Sequence, residues 1–419
     1  MKDFSDMLLN KVSGIMMNHS LKVSPLRKSR ELNTPEEALL LYVHIPFCEE
    51  LCPYCSFFKV KFDKQLADRY FDSLEKEILS YSKKGFKFDE VYIGGGTPTV
   101  LPEKLGKIIL LIRSLWDIRE VSVETNPNHL QPEILKTLKE SGVNRLSVGV
   151  QTFDDNLLKK MKRFKKYGSG KEIQRKIIES KDIFNTLNID MIFNFPEQTA
   201  EMLNNDIDII NNLNVDQATF YPLMSSSSVK NKIILTMGKH TQNNEKIFYK
   251  QISRKLSQKY KLSSAWCFTL KGNMIDEYIV TRDNYIGVGA GSFSYLKEGM
   301  FATTFSIPQY IDNVKSGISP ITMGNNFKKK EKILYYMLMS LFGGKMQIKH
   351  IRKSFGFFWF LYLFFELSFL LLSRGITINK GSLIVTEKGR YYMVALMRDF
   401  FTMVNNIREQ CRKQSVNNI

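Results

Sequence analysis

Short apolar runs alternate with longer amphipathic stretches over the first half of the chain. Apolar runs bounded by turn residues predict strands, and the longer stretches repeat apolar residues at the spacing of a helix face. The predicted strands are 40–46, 89–94, 119–124, 144–150, 188–194 and 215–221. The predicted helices are 64–82, 102–115, 131–140, 171–186 and 199–212. Because strands that alternate with helices form a parallel sheet with crossover helices, the pattern predicts an α/β fold with six β/α units.

The pattern changes after the sixth unit. Two further apolar runs, 262–268 and 284–290, are expected to complete or cap the sheet, and the composition near residue 320 predicts a linker. Beyond it the pattern is helical, apart from a small β-wing predicted at 376–386. We therefore expect three parts, which are a leader, a barrel with its extension, and a mostly helical, winged-helix-like domain, over residues 1–38, 39–319 and 320–419.

One apolar segment stands out within the C-terminal part. Residues 357–372 read FFWFLYLFFELSFLLL and are interrupted only by Glu366 and Ser368. A transmembrane helix needs about 20 apolar residues, so the run is slightly short for one. Basic residues on both sides leave a membrane-surface role open, but we expect a buried helix.

Composition and charge narrow the class of protein. The chain has 419 residues, 43% of them hydrophobic, which is enough for a sizeable core. Its formal net charge is +18, and basic domains often bind phosphate backbones. The densest basic run, 159–171, lacks the interleaved aromatic residues with which single-strand binders stack on bases. We expect a solvated face there and no nucleic-acid partner, with attraction of a polycarboxylate small molecule as a third interpretation.

The cysteines indicate the compartment. There are five, three of them clustered, which does not resemble a disulfide framework. The first 30 residues lack the uninterrupted apolar region of a secretory signal. We therefore expect a reducing, cytoplasmic location.

Polar signatures follow each predicted strand. The third strand ends at Glu124, the fourth leads to Gln151, and the fifth contains Asp190; the first two lead into a cysteine loop and a glycine run. In parallel barrels the chemistry lies on the loops at the carboxyl ends of the strands. These signatures are therefore expected at one mouth of the barrel.

The cysteine loop carries the most specific signal. Cys48, Cys52 and Cys55 have C-x3-C-x2-C spacing in the segment LYVHIPFCEELCPYCSF. A [4Fe–4S] cluster is usually held by four thiolates, so three would leave one iron open to an outside ligand. A zinc knuckle is the alternative, but zinc sites usually add a second ligand pair, and Cys267 and Cys411 are isolated in the sequence.

The segment GGGTP at 94–98 follows the second strand. Three successive glycines allow positive φ and close approach of a ligand to the backbone. An ordinary tight turn is the alternative, but this run follows a strand and comes after the cysteine loop. Glu124 ends a half-buried strand, where a carboxylate needs a cation or several donors.

Several motifs in order resemble one family. They are YVHIPFC, CPYC, GGGTPT, the segment at 124–127, SVGVQTF and the segment at 190–199. The resemblance covers about residues 40–300 and is to the radical S-adenosylmethionine (SAM) family of oxygen-independent coproporphyrinogen III oxidase and its relative, the haem chaperone. It implies a partial (β/α)6 TIM-like barrel followed by a mostly helical domain, a [4Fe–4S] cluster and SAM as cofactors, a tetrapyrrole substrate, and an electron donor such as flavodoxin or ferredoxin.

The resemblance also implies roles for individual residues. Cys48, Cys52 and Cys55 would hold the cluster, and Tyr42 and Glu124 are the candidate catalytic residues. The expected cofactor-binding residues are Tyr42, Tyr54, Gly95, Gly96, Thr97, Glu124, Gln151, Arg163, Asp190 and Phe293.

Two departures bear on the reaction. The oxidases place a fourth cysteine two residues after the third, where this chain has Phe57, and the haem chaperones carry a haem-binding motif that the stretch GNMIDEYIV at 272–280 lacks. We expect an oxidoreductase that decarboxylates propionate groups in porphyrin biosynthesis. The alternatives are a haem chaperone-like protein, an anaerobic haem-degrading methyltransferase and, last, an RNA-modifying enzyme.

Overall fold

The computed structural model describes residues 9–14, 16, 23–239, 244–270 and 284–417, with the backbone alone for residues 414–417. The stretch at 272–280, where the haem-binding motif would stand, lies outside these residues.

A parallel sheet forms the centre of the molecule and confirms the six predicted strands. These are β2 (Leu39–Ile45), β5 (Phe88–Gly95), β6 (Glu120–Thr125), β7 (Arg145–Gln151), β8 (Thr186–Phe193) and β9 (Gln217–Pro222). They lie side by side in that order, each parallel to the next. A seventh parallel strand, β12 (Tyr285–Val288), pairs with β2. The α/β barrel fold is thus the predicted one, and β12 is the apolar run 284–290, which is predicted to complete or cap the sheet.

Crossover helices connect these strands. They are α1 (Lys64–Lys83), α2 (Pro102–Leu115), α3 (Pro132–Glu140), α4 (Asp155–Lys160), α5 (Phe164–Tyr167), α6 (Gly170–Ser180) and α7 (Ala200–Leu213), with short 3-10 helices at Pro98–Val100 and Pro127–His129. Local chemistry sets their starts: Asp63 and Thr199 accept hydrogen bonds from the first turns of α1 and α7, and prolines open α2 and α3. The helix predicted over 171–186 ends earlier, at Ser180.

Antiparallel strands extend the sheet at both edges. On one side β10 (Lys261–Leu262) and β11 (Cys267–Thr269) follow β9; on the other β13 (Phe293–Leu296), β14 (Gly299–Thr303), β15 (Ile321–Asn326) and β1 (Ser24–Pro25) follow β12. A separate short pair joins β3 (Phe47–Cys48) and β4 (Val60–Lys61). The prediction of a linker near residue 320 is therefore wrong, because residues 321–326 form strand β15. The division at residues 38 and 319 stays a prediction, although β1 ties the leader to the sheet.

The remaining helices surround the sheet and build the C-terminal part. They are α8 (Ser227–Met237), α9 (Glu245–Leu256), α10 (Ile307–Lys315), α11 (Lys329–Phe342), α12 (Ile348–Phe355), a 3-10 helix (Trp359–Leu363), α13 (Phe364–Leu372) and α14 (Glu387–Asn417). The β-wing is confirmed as β17 (Ile376–Asn379) and β18 (Ser382–Val385), joined by β16 (Lys345–Gln347).

The apolar run at 357–372 does not form the predicted buried helix. It folds as a 3-10 helix followed by the short α13, and many of its large side chains are exposed. No single helix in the described part of the chain is long and apolar enough to cross a membrane, whereas the bent pair of Ile348–Phe355 and Trp359–Leu372, at 101° to each other, has the required length and composition only when taken together.

The core lies on both faces of the parallel strands. Val43, Ile45, Ile93, Val123 and Val148 are almost fully buried. Strands covered by helices on both faces show such near-continuous apolar sequence, and each buried side chain of this size contributes roughly 1.5–3 kcal/mol relative to an exposed one. The polar residues at the strand ends are thus held on a rigid frame.

Candidate functional site

A cavity of about 270 Å³ opens at the carboxyl ends of the parallel strands. It is close to the lower end of the size range of small-molecule sites, roughly 300–1,000 Å³. Twelve of the thirteen predicted site residues line it, which are Tyr42, Cys48, Cys52, Tyr54, Cys55, Gly95, Gly96, Thr97, Glu124, Gln151, Arg163 and Asp190. The predicted gathering of the strand-end residues at one mouth is therefore what the structure shows; their roles toward a ligand stay predictions.

The three clustered cysteines share this cavity. Cys48 is buried, whereas Cys52 and Cys55 are half-buried, and all three are free thiols. Among the described residues, no three His, Cys, Asp or Glu side chains are placed to hold a single metal ion. A [4Fe–4S] cluster attaches one thiolate to each iron, so its donors surround a volume rather than a point.

Ion pairs and hydrogen bonds fasten the cysteine loop. The Glu49 carboxylate lies 2.7 Å from Lys166 Nζ and 3.3 Å from His129 Nε2, and it accepts a hydrogen bond of 3.1 Å from Asn128. Burial raises the pKa of Glu49, but these partners lower it to a net value below the ordinary one. At the far end of the loop, Lys59 donates to the Cys55 carbonyl. The loop is thus held by elements that follow other strands.

A chain of hydrogen bonds links two cysteines through the strand ends. Thr97 Oγ1 lies 3.6 Å from Cys48 Sγ and accepts from Asn126 Nδ2 at 2.8 Å. Asn126 Oδ1 accepts from Arg163, whose Nη1 lies 3.7 Å from Cys52 Sγ. The positions of the two sulfur atoms therefore depend on residues that follow β5, β6 and β7.

Arg163 is a buried cation in the cavity wall. It donates to Tyr54 Oη at 2.8 Å and to the Gly149 carbonyl, and its guanidinium carbon lies 4.3 Å from the centre of the Tyr167 ring. Burial opposes the charged form, but the nearby Tyr167, Tyr54 and Cys52 side chains produce a net rise in the pKa of Arg163. The prediction of a solvated face at 159–171 is wrong for this residue, and Lys166 is also partly covered against Glu49.

The glycine run brings β5 against the Glu124 carboxylate. Gly95 N donates to Glu124 Oε2 at 3.1 Å, and Tyr92 Oη donates to Oε1 at 3.0 Å. A Cβ on Gly94 would lie 2.8 Å from this carboxylate, and one on Gly96 would lie 2.6 Å from the Phe47 carbonyl oxygen. Gly95 has a φ of +122°. Close packing within the protein therefore requires glycine at these positions. From the sequence alone, the glycines are explained by close approach of a ligand.

A buried histidine that the sequence interpretation missed supports Tyr42. Tyr42 Oη lies 2.9 Å from His44 Nδ1, and His44 Nε2 lies 3.0 Å from the Phe58 carbonyl oxygen. Since a carbonyl only accepts, Nε2 carries the proton and Tyr42 donates to Nδ1. Burial lowers the pKa of His44 to about 4 and raises the pKa of Tyr42, which Glu124 raises further. Both groups are neutral at pH 7.

Gln151 and Asp190 complete the far wall. Gln151 has a φ of +78° at the irregularity between β7 and β8. Residues other than glycine adopt this backbone conformation at a cost in free energy. Asp190 accepts hydrogen bonds from Ser147 Oγ at 2.7 Å and Asn188 Nδ2 at 2.8 Å. The aspartate is thus oriented by its own strand and the preceding one.

The last helix supplies a wall that no sequence motif indicated. Phe401, Asn405 and Arg408 of α14 line the cavity. Arg408 donates to Asn405 Oδ1 at 2.7 Å, and its guanidinium carbon lies 5.4 Å from the centre of the Phe293 ring. Phe293, the one predicted residue outside the lining, therefore contacts Arg408, which lines the cavity.

The cavity matches the charges of an amino acid-like group. Glu124 and Asp190 offer carboxylates for an ammonium group, and Arg163 offers a guanidinium for a carboxylate. SAM carries both groups, and the three thiols are suitable donors for iron. The residues present therefore fit both a cluster and SAM.

Comparisons with known proteins agree with this architecture. Residues 42–210 match the Radical SAM superfamily. The chain is 31% identical over 318 residues to the "Heme chaperone HemW" of Bacillus subtilis, which covers 72% of this chain and 82% of the relative. It is 35% identical over 176 residues to the "Oxygen-independent coproporphyrinogen III oxidase" of Escherichia coli, covering 40% of this chain and 38% of that protein.

A solved structure shows the same fold. Coproporphyrinogen III oxidase from Escherichia coli superposes with a TM-score of 0.72 at 23% identity, covering 88% of this chain and 90% of the other. The likeness covers most of the chain and shows that the fold is shared.

Proposed function

Because the chain belongs to the radical SAM family that contains the heme chaperone and oxygen-independent coproporphyrinogen III oxidase, we propose that it binds a [4Fe–4S] cluster and SAM and acts on a tetrapyrrole. The observation that carries this proposal is that three thiols, the Glu124 and Asp190 carboxylates and the buried Arg163 line one cavity. When bound, the cluster and SAM supply one-electron chemistry that no side chain can provide.

The protein's own residues bind and orient. Cys48, Cys52 and Cys55 hold the cluster, while Glu124 accepts from the ammonium group of SAM and Arg163 pairs with its carboxylate. Tyr92 and Gly95 hold the Glu124 carboxylate in place. Binding of the SAM ammonium group to it therefore needs little rearrangement. Tyr42, held by His44, lies on the same wall.

The tetrapyrrole lies between the barrel mouth and α14. Lys59 and Arg408 line that side of the cavity and are the cations for its carboxylates. Tyr221, Leu223, Met224 and Phe401 add apolar surface for a macrocycle. This division of polar and apolar surface supports a flat ligand with charged substituents.

Two versions of this function differ in outcome. An oxidase converts propionate groups to vinyl groups with loss of carbon dioxide, and each group also loses a proton and two electrons, which SAM and an outside electron acceptor would take up. A chaperone binds haem without changing it. The long alignment with the heme chaperone and Phe57 at the position of the oxidases' fourth cysteine favour the second version. The family's reaction chemistry and the cavity's cations support the first.

Anaerobic reconstitution with iron and sulfide, followed by incubation with SAM and either coproporphyrinogen III or haem, tests both versions by mass spectrometry. Loss of two carboxyl groups supports the oxidase, and haem bound tightly but unchanged supports the chaperone. An added methyl group would indicate a methyltransferase. Purified protein that takes up no iron under these conditions would contradict the proposal as a whole.

A further inference from the structure

Residues 357–372 present an apolar surface on which nine large side chains are exposed. We call this surface the aromatic ledge. Phe365 and Leu372 have 73% and 85% of their surface exposed. The other exposed members are Phe357, Phe358, Phe360, Leu361, Tyr362, Phe364 and Leu371. Contiguous apolar surfaces of this kind mark sites of interaction with another molecule or a membrane.

The ledge is held rigidly from behind. Trp359, Leu363, Leu367 and Leu370 alternate with its exposed residues and are buried in the core. The inner side chains pack the 3-10 helix and α13 against the protein. The outer side chains are therefore exposed although the segment itself is well packed against the protein.

Basic residues border the ledge. Between residues 345 and 380 the chain has six lysines or arginines, which are Lys345, Lys349, Arg352, Lys353, Arg374 and Lys380, and one acidic residue, the buried Glu366. The Arg352 guanidinium carbon lies 4.4 Å from the centre of the Phe357 ring, and Lys329 Nζ lies 5.4 Å from that of Tyr362. Cations thus stand where the apolar surface meets water.

We propose that the aromatic ledge binds the surface of a bilayer that contains anionic lipids. The exposed rings would enter the boundary between head groups and acyl chains, and the bordering cations would pair with the lipid phosphates. The sharp bend between α12 and the following helices fits a segment that lies on a membrane. Charge complementarity selects this occupant, because residues 345–380 carry six lysines or arginines and their one carboxylate, Glu366, is buried.

Co-sedimentation of the purified full-length chain with lipid vesicles tests the proposal. The two vesicle types contain phosphatidylcholine alone or phosphatidylcholine with phosphatidylglycerol. We expect binding to the second type and a steep fall in binding as salt is added, because exposed charge pairs are screened.

Two double variants and two matched controls locate the contact. Phe365→Asp with Leu372→Asp alters the ledge, and Lys349→Glu with Lys353→Glu alters its border. Leu235→Asp, at a leucine on α8 that is also 85% exposed, controls for an added surface charge. Lys136→Glu with Lys171→Glu, at two exposed lysines elsewhere, controls for lost net charge. We expect each altered-ledge or altered-border variant to weaken binding at least about tenfold, with the controls within about twofold.

Three results would overturn the proposal. One is failure of the unaltered chain to bind anionic vesicles, and another is an equal loss in the charge control, which would indicate a diffuse effect of net charge. The third is self-association that Phe365→Asp with Leu372→Asp abolishes, without vesicle binding, since the ledge would then join copies of the chain. Circular dichroism checks that the variants fold. The measurement needs no tetrapyrrole, so its failure would leave the proposed function untouched.

Discussion

The guanidinium carbon of Arg408 lies 4.9 Å from the centre of the Phe57 ring. Phe57 follows the third cysteine of the loop by two residues, and Arg408 belongs to the last helix. A cation–π contact at this distance is worth about 0.5–2 kcal/mol, more when it is shielded from water. The contact joins the cysteine loop to the C-terminal part at the mouth of the cavity.

Replacing Arg408 by Ala should weaken tetrapyrrole binding about tenfold or more, because a charge-assisted hydrogen bond to a carboxylate contributes about 1.5–3 kcal/mol. SAM affinity should change little, because SAM binding is assigned to Glu124 and Arg163. Titration of the protein with a carboxylated porphyrin, followed by absorbance, measures the first effect. Arg412→Ala, at an exposed arginine one turn further along the same helix, is the control. Equal affinity in the two variants would argue against a role for Arg408.

The variant Arg163→Lys should bind SAM at least tenfold more weakly despite keeping its charge. Lysine has no planar fork and cannot donate at once to Tyr54, Gly149 and Asn126. Calorimetric titration of the reconstituted protein with SAM measures this. Arg175→Lys changes an exposed arginine on α6 and should bind SAM normally. A normal affinity for Arg163→Lys would show that charge alone is needed.

Cys52→Ala should remove the visible absorbance of the reconstituted cluster and the cleavage of SAM, because only two thiols would remain on the loop. Cys267→Ala replaces a buried cysteine outside the cavity lining and should retain both. Iron analysis and absorbance spectra of the two variants, handled together without oxygen, make the comparison. Unchanged SAM cleavage by Cys52→Ala would refute the cluster assignment.

Gly96→Ala should destabilise the protein by about 1–3 kcal/mol, since its Cβ would meet the Phe47 carbonyl oxygen and backbone atoms have little room to move. Gly106→Ala, on α2, is the matched substitution. Its nearest contact would be an ordinary 3.5 Å to Thr137, and alanine stabilises a helix interior by roughly 0.5–1 kcal/mol. Denaturant unfolding of both variants should therefore give midpoints that move in opposite directions.

The buried Glu77 should make stability fall as pH rises from about 4.5 to 7. Burial raises the pKa of Glu77 to about 7, although Tyr310 and Gly289 donate hydrogen bonds to it. The folded state then holds a proton that the unfolded state releases, so the free energy of unfolding decreases across this window by up to about 3 kcal/mol.

Glu77→Gln cannot titrate and should show a smaller decrease. Glu75→Gln, on the exposed face of the same helix, should keep the original slope. Asp206 shifts in the same direction, so some pH dependence remains in both variants. Chemical unfolding at pH 5, 6 and 7 measures the slopes, and identical slopes for both variants would exclude Glu77 as the source.

The sequence predicted the sheet well because its strands are buried on both faces. A buried parallel strand needs a short apolar run, and that requirement is local. The same logic located Glu124, Gln151 and Asp190, since parallel strands carry their ends to one edge.

Contacts between distant parts of the chain could not be predicted in this way. Arg408 lies on a long helix whose pattern does not reveal what it faces, and His44 reads as one more strand residue. The apolar run at 357–372 differs from its prediction for another reason. Gly356, with a φ of +88°, ends α12, as glycine commonly ends a helix. Composition alone does not reveal which side chains of the segment that follows are buried and which are exposed.

The attachment of the last helix has a practical consequence for dissecting the protein. Arg398 of α14 lies 2.6 Å from the Glu245 carboxylate, which is almost fully covered, and Tyr391 donates to the same oxygen. Stripping a buried charge of its partner typically costs about 3–5 kcal/mol. A fragment that stops before Glu387 would lose Arg398 along with Phe401 and Arg408. The isolated barrel would therefore be less stable and its ligand cavity would lack one wall.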